Sequence, residues 1–233
     1  MTAFAAPKSL SPAYNGSVEA PDRDCIFCPR LVDFRQANRA KFPGWFNSPV
    51  PSFGPPDAEL LIIGLAPGLR GANRTGRPFT GDYAGVLLYE TLIKYGFAKG
   101  HYDQRPDDGL TLVNCRITNA VRCVPPANKP FPDEIAACRG FLSATMRNMS
   151  NLRVILALGR IAFDSAIRAL GMKASQNKFS HGGAVDIGED RKLFGSYHCS
   201  RYNTSTGRLT HAMFHSVVET IAAHTGQARK WQS

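Results

Sequence analysis

The chain has no long apolar run. No stretch of its 233 residues approaches the roughly 18 consecutive apolar residues that a membrane span needs, so we predict no span and no membrane partner. Residues 1–20 contain no continuous apolar core of a secretory signal, and we expect them to form a flexible arm. These two absences lead us to expect a cytoplasmic, nucleoid-associated protein.

Acidic residues are scarce relative to basic ones. Asp and Glu number 18 against 28 Lys and Arg, which gives a net charge of +10. A surplus of this size favours a polyanionic partner, most commonly a nucleic acid, although a merely basic soluble protein also fits.

The length suits one compact domain, which we assign to residues 21–233.

Short apolar runs alternate with helical patterns along this domain. Four runs predict strands, at 59–63, 110–120, 153–159 and 192–197. Helices are predicted at about 83–98, 133–149 and 160–170 and at the C-terminal end, and the stretch 171–190 is predicted to be irregular. The alternation is typical of an α/β fold, in which helices cover both faces of a parallel sheet.

A glycine-rich loop follows the first predicted strand. Residues 64–82 hold five glycines together with arginines, a phenylalanine and an aspartate. Such a loop presents backbone donors at one edge of the sheet, and this mixture suits a flat, phosphate-bearing ligand. One hypothesis is therefore a nucleotide-dependent α/β enzyme, but the loop has neither common glycine-rich nucleotide motif, which counts against it.

Four of the six cysteines form two pairs. Cys25 and Cys28 are spaced as C-x-x-C, and Cys123 and Cys138 bracket a proline-rich loop. Four thiolates suit either zinc or an iron–sulfur cluster, and their spacing does not decide between the two. Unrelated buried thiols are the alternative. We expect the other two cysteines, Cys115 and Cys199, to be core residues.

Three motifs, in order, resemble those of the uracil-DNA glycosylase superfamily, most closely its fifth family, the type-b enzymes. They are residues 64–82, 117–123 and 198–208. The resemblance implies a three-layer α-β-α domain with a central four-stranded parallel sheet. It also implies excision of uracil and other deaminated bases, such as hypoxanthine, from single- or double-stranded DNA by a monomer. The four paired cysteines fall where this family holds a 4Fe-4S cluster, with zinc the alternative.

The chemistry of base excision gives these motifs separate roles. A glycosylase flips a nucleotide out of the duplex and stabilises both the departing base and the sugar cation. The resemblance makes Phe79 the stacking surface, Asn119 the base-recognition residue and His198 a hydrogen-bond donor to the leaving base. The structural alternatives are a core phenylalanine, a turn asparagine and a structural histidine.

The acid–base residue is expected at a different position in the loop from that in other families of the superfamily. Other families carry an acid or amide directly after the first glycine, where this chain has Leu65 followed by Ala66. The resemblance therefore marks Asp82 as the residue that activates water or stabilises the sugar cation. The alternative is that Asp82 only caps the helix beginning near Tyr83, as it would in a non-catalytic iron–sulfur nucleic-acid-binding module.

The remaining predicted contacts concern base and DNA. The pocket is expected to include Gly64, Ala66 and Gly68. The DNA-binding residues are expected to be Arg70, Arg74 and Arg77 on phosphates and Arg201, Tyr202 and Arg208 in the minor-groove loop, where Tyr202 or Arg201 is the candidate wedge. No lysine occupies a position that the resemblance marks as a Schiff-base nucleophile, so we predict a monofunctional enzyme that leaves an abasic site.

Overall fold

A computed structural model describes residues 19–227. Residues 1–18, most of the predicted arm, lie outside this part of the chain. At the start of the described chain, the Glu19 carboxylate forms an ion pair with Arg116. None of the described helices is long and apolar enough to cross a membrane.

The described chain alternates between strands and helices. The strands are β1 (Leu60–Gly64), β2 (Ala98–Lys99), β3 (Thr111–Leu112), β4 (Cys115–Asn119), β5 (Val154–Leu158), β6 (Ala184–Asp186) and β7 (Lys192–Ser196). The helices are α1 (Pro29–Lys41), α2 (Ala72–Thr75), α3 (Tyr83–Lys94), α4 (Pro132–Asn148), α5 (Arg160–Ala169), α6 (Arg201–Ser205) and α7 (His211–Thr225), with a 3₁₀ turn at Pro126–Asn128.

The main sheet has five strands in the order β4-β1-β5-β7-β6. The first four strands are parallel. Leu60 of β1 lies beside Cys115 of β4 on one side and beside Val154 of β5 on the other, and β6 pairs antiparallel with β7 at the edge. The predicted α/β fold is therefore confirmed, with one strand more than the four expected. The extra strand, β6, lies in the stretch that was predicted to be irregular. It was missed because it is only three residues long and has no buried residue.

The sheet is buried on both faces by helices. Every residue of β1 and β5 is buried, which explains their continuous apolar runs. Alternate side chains point to opposite sides: Leu60 and Ile62 pack in the core formed with α3 and α7, and Leu61 and Ile63 pack in the core formed with α4 and α5. This arrangement is the predicted three-layer architecture.

Several further elements differ from the sequence prediction, among them α3, which ends at Lys94 rather than at about residue 98. The predicted strand 110–120 divides into β3 and β4 at Asn114, whose φ of 50° is incompatible with an extended strand. Helix α1 was not predicted, because it is mostly polar and buries only Leu31, Arg35 and Asn38. Its packing therefore leaves no clear periodic apolar pattern in the sequence.

The 64–82 loop is fixed to the rest of the domain by a buried ion pair. The Arg77 guanidinium donates to both Asp108 carboxylate oxygens, at 2.9 and 2.7 Å, and to Thr80 Oγ1 at 2.7 Å. The two charged side chains are only 6% and 1% exposed. Although burial raises the pKa of Asp108, hydrogen bonds from Arg77 and from two backbone amides hold it below its usual range. The predicted phosphate contact of Arg77 is therefore wrong, because its guanidinium is committed inside the protein.

We expect Arg77→Met to lower the free energy of unfolding by roughly 3–5 kcal/mol, because it leaves the Asp108 carboxylate buried without its partner. The effect should be largest above the usual carboxyl pKa and shrink as acidification protonates Asp108. Urea unfolding at several pH values measures it. Arg105→Met is the control, since its ion pair with Asp107 is exposed and is worth about 1 kcal/mol or less. Equal losses in the two variants would contradict the assignment.

Candidate active site

A cavity of about 730 Å³ opens where the parallel strands end. The carboxyl ends of β1, β4, β5 and β7 meet at this edge of the sheet, the usual ligand position in an open α/β fold. The cavity is lined by Leu65, Ala66, Pro67, Gly68, Leu69, Arg70, Gly71, Ala72, Phe79, Asp82, Tyr83, Ala84, Asn119, Asn128, Leu158, Gly159, Arg160, Ile161, Ala162, His198, Ser200 and Arg201. The chain thus brings together residues from all three motifs.

Asp82 places a carboxylate in this cavity directly before α3. It occupies the N-cap position, but its side chain makes no capping hydrogen bond. Its Oδ1 atom is buried and has no hydrogen-bond partner. Burial raises the pKa of Asp82, and the nearby amides of Gly85 and Ala84 only partly oppose the increase. A capping role alone does not explain a buried, unsatisfied carboxylate oxygen.

Two glycines make the space that this carboxylate occupies. A Cβ atom on Gly71 would overlap Asp82 Oδ2, and a Cβ atom on Gly68 would lie 3.1 Å from the same oxygen. The loop therefore needs glycine at position 71 to keep the Asp82 carboxylate where it is. Gly68 and Ala66, both predicted pocket residues, lie on the cavity wall.

Phe79 is held in a strained conformation at the cavity wall. Its φ of 53° is uncommon for a bulky residue, and its carbonyl oxygen accepts a hydrogen bond of 2.9 Å from the Tyr102 hydroxyl. Its ring lies 5.7 Å from that of His198, at an angle of 31°. Gly64 lies behind this ring rather than on the cavity wall, since a Cβ atom there would collide with Phe79 and with the Asn119 side chain.

His198 follows β7 and lines the cavity. Burial of the imidazole lowers its pKa to about 4, so the ring is neutral at physiological pH. Asn203 Nδ2 donates a hydrogen bond of 2.9 Å to the His198 carbonyl oxygen, which fixes the backbone at this point. Asn119, the last residue of β4, is 3% exposed and faces the same cavity.

The predicted DNA-binding residues differ in their exposure and in whether they line the cavity. Arg70 and Arg201 are exposed and line it, and Arg74 is exposed outside it. The Arg201 guanidinium lies 5.0 Å from the centre of the Tyr83 ring. Tyr202 is 70% exposed on α6.

Arg208, the last residue of the third motif, is also exposed, but its guanidinium lies 4.8 Å from the centre of the Tyr197 ring. This contact places Arg208 against the residue that precedes His198.

The sequence prediction missed several cavity residues. Tyr83 was treated only as the beginning of a helix, and Asn128 belongs to the proline-rich loop after β4. Arg160 and Ile161 begin α5, directly after Gly159 at the end of β5. A strand, a glycine and a helix N-terminus form the same pattern that singled out the 64–82 loop, so that pattern could have identified them.

The four paired cysteines surround a second, smaller cavity. Cys25, Cys28, Cys123 and Cys138 all line it, whereas the expected core residues Cys115 and Cys199 are fully buried elsewhere. Burial raises the pKa of Cys28 and Cys123 to about 12 and that of Cys138 to about 11. Within residues 19–227, no three His, Cys, Asp or Glu side chains are grouped as ligands of a single metal ion.

Arg30 joins the two chain segments that supply these cysteines. Its guanidinium donates to both Glu134 oxygens, at 2.8 and 2.7 Å, and to the Lys129 carbonyl oxygen at 3.0 Å. It also lies 3.7 Å from the centre of the Phe131 ring. Helix α1, which begins just after Cys28, is thereby attached to the loop between the second pair of cysteines.

Comparison with known proteins agrees with this geometry. The family model of the uracil DNA glycosylase superfamily matches residues 51–222. A type-5 uracil-DNA glycosylase of Thermus thermophilus is 43% identical over 83% of this chain and 90% of its own. Type-5 enzymes of Mycobacterium bovis and Pyrobaculum aerophilum are 41% and 35% identical, over 83% and 87% of this chain and 75% and 90% of their own. The resemblance seen in the motifs is confirmed, and the chain belongs to the type-5 branch of the uracil-DNA glycosylase superfamily.

Proposed function

We propose that this protein excises uracil from DNA during repair, using Asp82 and His198 on opposite sides of the scissile bond. The observation that carries the proposal is the Asp82 carboxylate, which lines a cavity shared with His198, Asn119 and Phe79 and whose Oδ1 atom is buried without a hydrogen-bond partner. A carboxylate oxygen kept without a hydrogen-bond partner is costly for the fold. It becomes useful when positive charge develops beside it.

The reaction breaks the bond between the sugar C1′ atom and the base nitrogen and forms a new bond from C1′ to a water oxygen. The electron pair of the broken bond leaves with the base, so the sugar becomes cationic and the base anionic. The ionised Asp82 stabilises the sugar cation and accepts the proton of the attacking water. His198 donates a hydrogen bond to the base oxygen that gains negative charge.

The neutral state of His198 suits this role. With a pKa of about 4, the imidazole carries one N–H donor at neutral pH and no net charge. Placing this donor in advance stabilises the departing base without a proton having to be gained first. The hydrogen bond from Asn203 to the His198 carbonyl oxygen supports that placement.

The cavity supports a base range wider than uracil. Its wall beside the Asp82 carboxylate consists of small residues, among them Ala66, Gly68 and Gly71. The volume of about 730 Å³ leaves room for a purine such as hypoxanthine as well as for a pyrimidine. Phe79 offers a stacking surface that tolerates different bases, and the Asn119 amide offers both a donor and an acceptor.

The described cavity wall includes no lysine. An amine nucleophile would form a covalent sugar adduct and lead to strand cleavage, whereas a water nucleophile leaves the backbone intact. The product is therefore an intact strand with an abasic site. Arg70, Arg160 and Arg201 at the cavity wall hold the phosphates of this strand, and Tyr202 is the wedge that fills the vacated position in the duplex.

The four paired cysteines hold a 4Fe-4S cluster in this proposal. All four line one cavity, and four cysteine thiolates are the usual ligand set of such a cluster. The cluster supplies cross-linking, since hydrolysis of the glycosidic bond transfers no electron. It joins Cys25 and Cys28 to the loop bounded by Cys123 and Cys138.

We expect Asp82→Asn to reduce single-turnover uracil release at least about tenfold, and up to the roughly 10²–10⁴-fold typical of a positioned acid–base group. The wild-type rate should fall on acidification at a higher pH than for an ordinary aspartate, because burial raises the Asp82 pKa. The variant should lack this decrease. Glu90→Gln, on the exposed side of the same helix, is the control. An unchanged rate in the Asn variant would remove Asp82 from the mechanism.

Labelled oligonucleotides containing uracil, hypoxanthine or only normal bases test the substrate range. We expect breaks at uracil and at hypoxanthine after alkali treatment, and none with normal bases. Without alkali or heat the strands should remain intact, because no amine nucleophile acts. Nicking without alkali would overturn the monofunctional assignment, and uracil-only release would restrict the substrate to pyrimidines.

The purified protein should be brown, with absorbance near 400 nm and about four iron atoms per chain, if the thiols hold a 4Fe-4S cluster. Iron and acid-labile sulfide analysis measures the content directly. Substitution of Cys28 by Ser should abolish the absorbance, while Cys199→Ser, in the core away from this cavity, should retain it. A colourless protein with stoichiometric zinc would contradict the cluster.

A further inference from the structure

Arg35 is a buried cation directed at the cysteine cavity. It lies on the inner side of α1, is 3% exposed and lines the cavity together with the four thiols. Its Nη1 atom donates to Cys123 Sγ at 3.6 Å, and its Nη2 atom donates to the Cys25 carbonyl oxygen at 2.8 Å. Its Nε atom is buried without any partner.

No acidic residue of the described chain pairs with this guanidinium. Asp24, which precedes Cys25, is exposed and forms its ion pair with Arg39, so its charge acts on Arg35 only at longer range. A buried arginine without a direct ion-pair partner is unfavourable, so the fold points to a further negative charge that protein side chains do not supply. Its position limits that charge to the cavity of the four cysteines.

A tetrathiolate cofactor supplies such a charge. A free thiol is neutral, but binding to a metal removes its proton, and four thiolates leave a bound cluster with net negative charge. A guanidinium inside the same low-dielectric space then offsets part of that charge. Its hydrogen bond to Cys123 Sγ places the compensation on one of the cluster's own ligands.

We propose that Arg35 is the counter-charge of the cofactor bound by these cysteines, and that it sets both the retention and the reduction potential of that cofactor. This inference rests on the cluster of the proposed function. Charge and hydrogen bonds at the sulfur ligands are main determinants of cluster potential. Removing the positive charge disfavours addition of an electron, so the potential falls.

Arg35 also acts as a positioning residue. It holds the Cys25 backbone, on the N-terminal side, and the Cys123 sulfur, on the loop after β4, with separate nitrogens of one rigid group. Few other side chains present several donors in a fixed plane with a permanent charge. The same residue therefore aligns two ligands that are far apart in the sequence.

The test compares wild type with Arg35→Gln, which keeps a polar donor but loses the charge, and Arg35→Lys, which keeps the charge. Lys41→Met is the matched control, because it removes one positive charge from the exposed end of the same helix. The measurements are iron and sulfide content, the rate of absorbance loss near 400 nm with an iron chelator, and the reduction potential by spectroelectrochemical titration. None of them depends on glycosylase activity.

We expect Arg35→Gln to lose the cluster at least about tenfold faster than wild type. Its one-electron equilibrium constant for reduction should fall about tenfold, a decrease of about 59 mV. Lys41→Met should stay close to wild type in both measurements, and Arg35→Lys should keep a reduction potential close to wild type because the charge remains. If Arg35→Gln and the wild type have equal reduction potentials and equal cluster retention, the proposal is overturned, but the assignment of the cluster still stands.

If the Gln variant does not accumulate in folded form, the Lys variant decides. A reduction potential close to wild type supports the counter-charge, since Lys keeps the charge but not the planar guanidinium. A decrease of about 59 mV in Arg35→Lys overturns it. A wild-type protein without iron and sulfide would overturn the cofactor and this inference together, which separates that failure from a failure of Arg35 alone.

Discussion

The active site depends on one constraint, the burial of the Asp82 carboxylate without a hydrogen bond to its Oδ1 atom. In the proposed mechanism this carboxylate keeps its negative charge for the sugar cation, because the Ala84 and Gly85 amides only partly offset its burial and Oδ1 has no donor. The surrounding residues bear the energetic cost of that arrangement. Gly71 leaves the space, and the Arg77–Asp108 ion pair fixes the loop around it.

Two of the four charged side chains of this loop, those of Arg77 and Asp82, carry buried polar atoms, and they differ in how these atoms are compensated. Arg77 is compensated by Asp108 through two hydrogen bonds and fixes the loop, whereas Asp82 has an Oδ1 atom without a partner. The proposed mechanism assigns the first residue to the stability of the loop and the second to the chemistry. The strained φ of Phe79, two residues beyond Arg77, is held by the same framework.

How far the sequence predicts this structure depends on where each interaction partner lies. The parallel strands follow from local apolar runs such as that of β5, and their carboxyl ends bring Asn119 and His198 to one edge by topology alone. The role of Arg77 could not be predicted, because its partner Asp108 lies 31 positions away in a segment with no motif. Helix α1 and strand β6 were missed for a related reason, since their packing leaves little periodic pattern.

The cysteine cavity and the active-site cavity are joined by one segment of chain. Cys123 follows Asn119 by four residues, and the loop that it begins carries Asn128 on the wall of the active-site cavity. Arg30 attaches this loop to the helix that follows Cys28, through Glu134 and a carbonyl oxygen. The four thiols and Asn128 are therefore linked through covalent and ionic contacts of one chain segment. If the proposed cluster is bound there, it fixes part of the wall of the active-site cavity without taking part in bond cleavage.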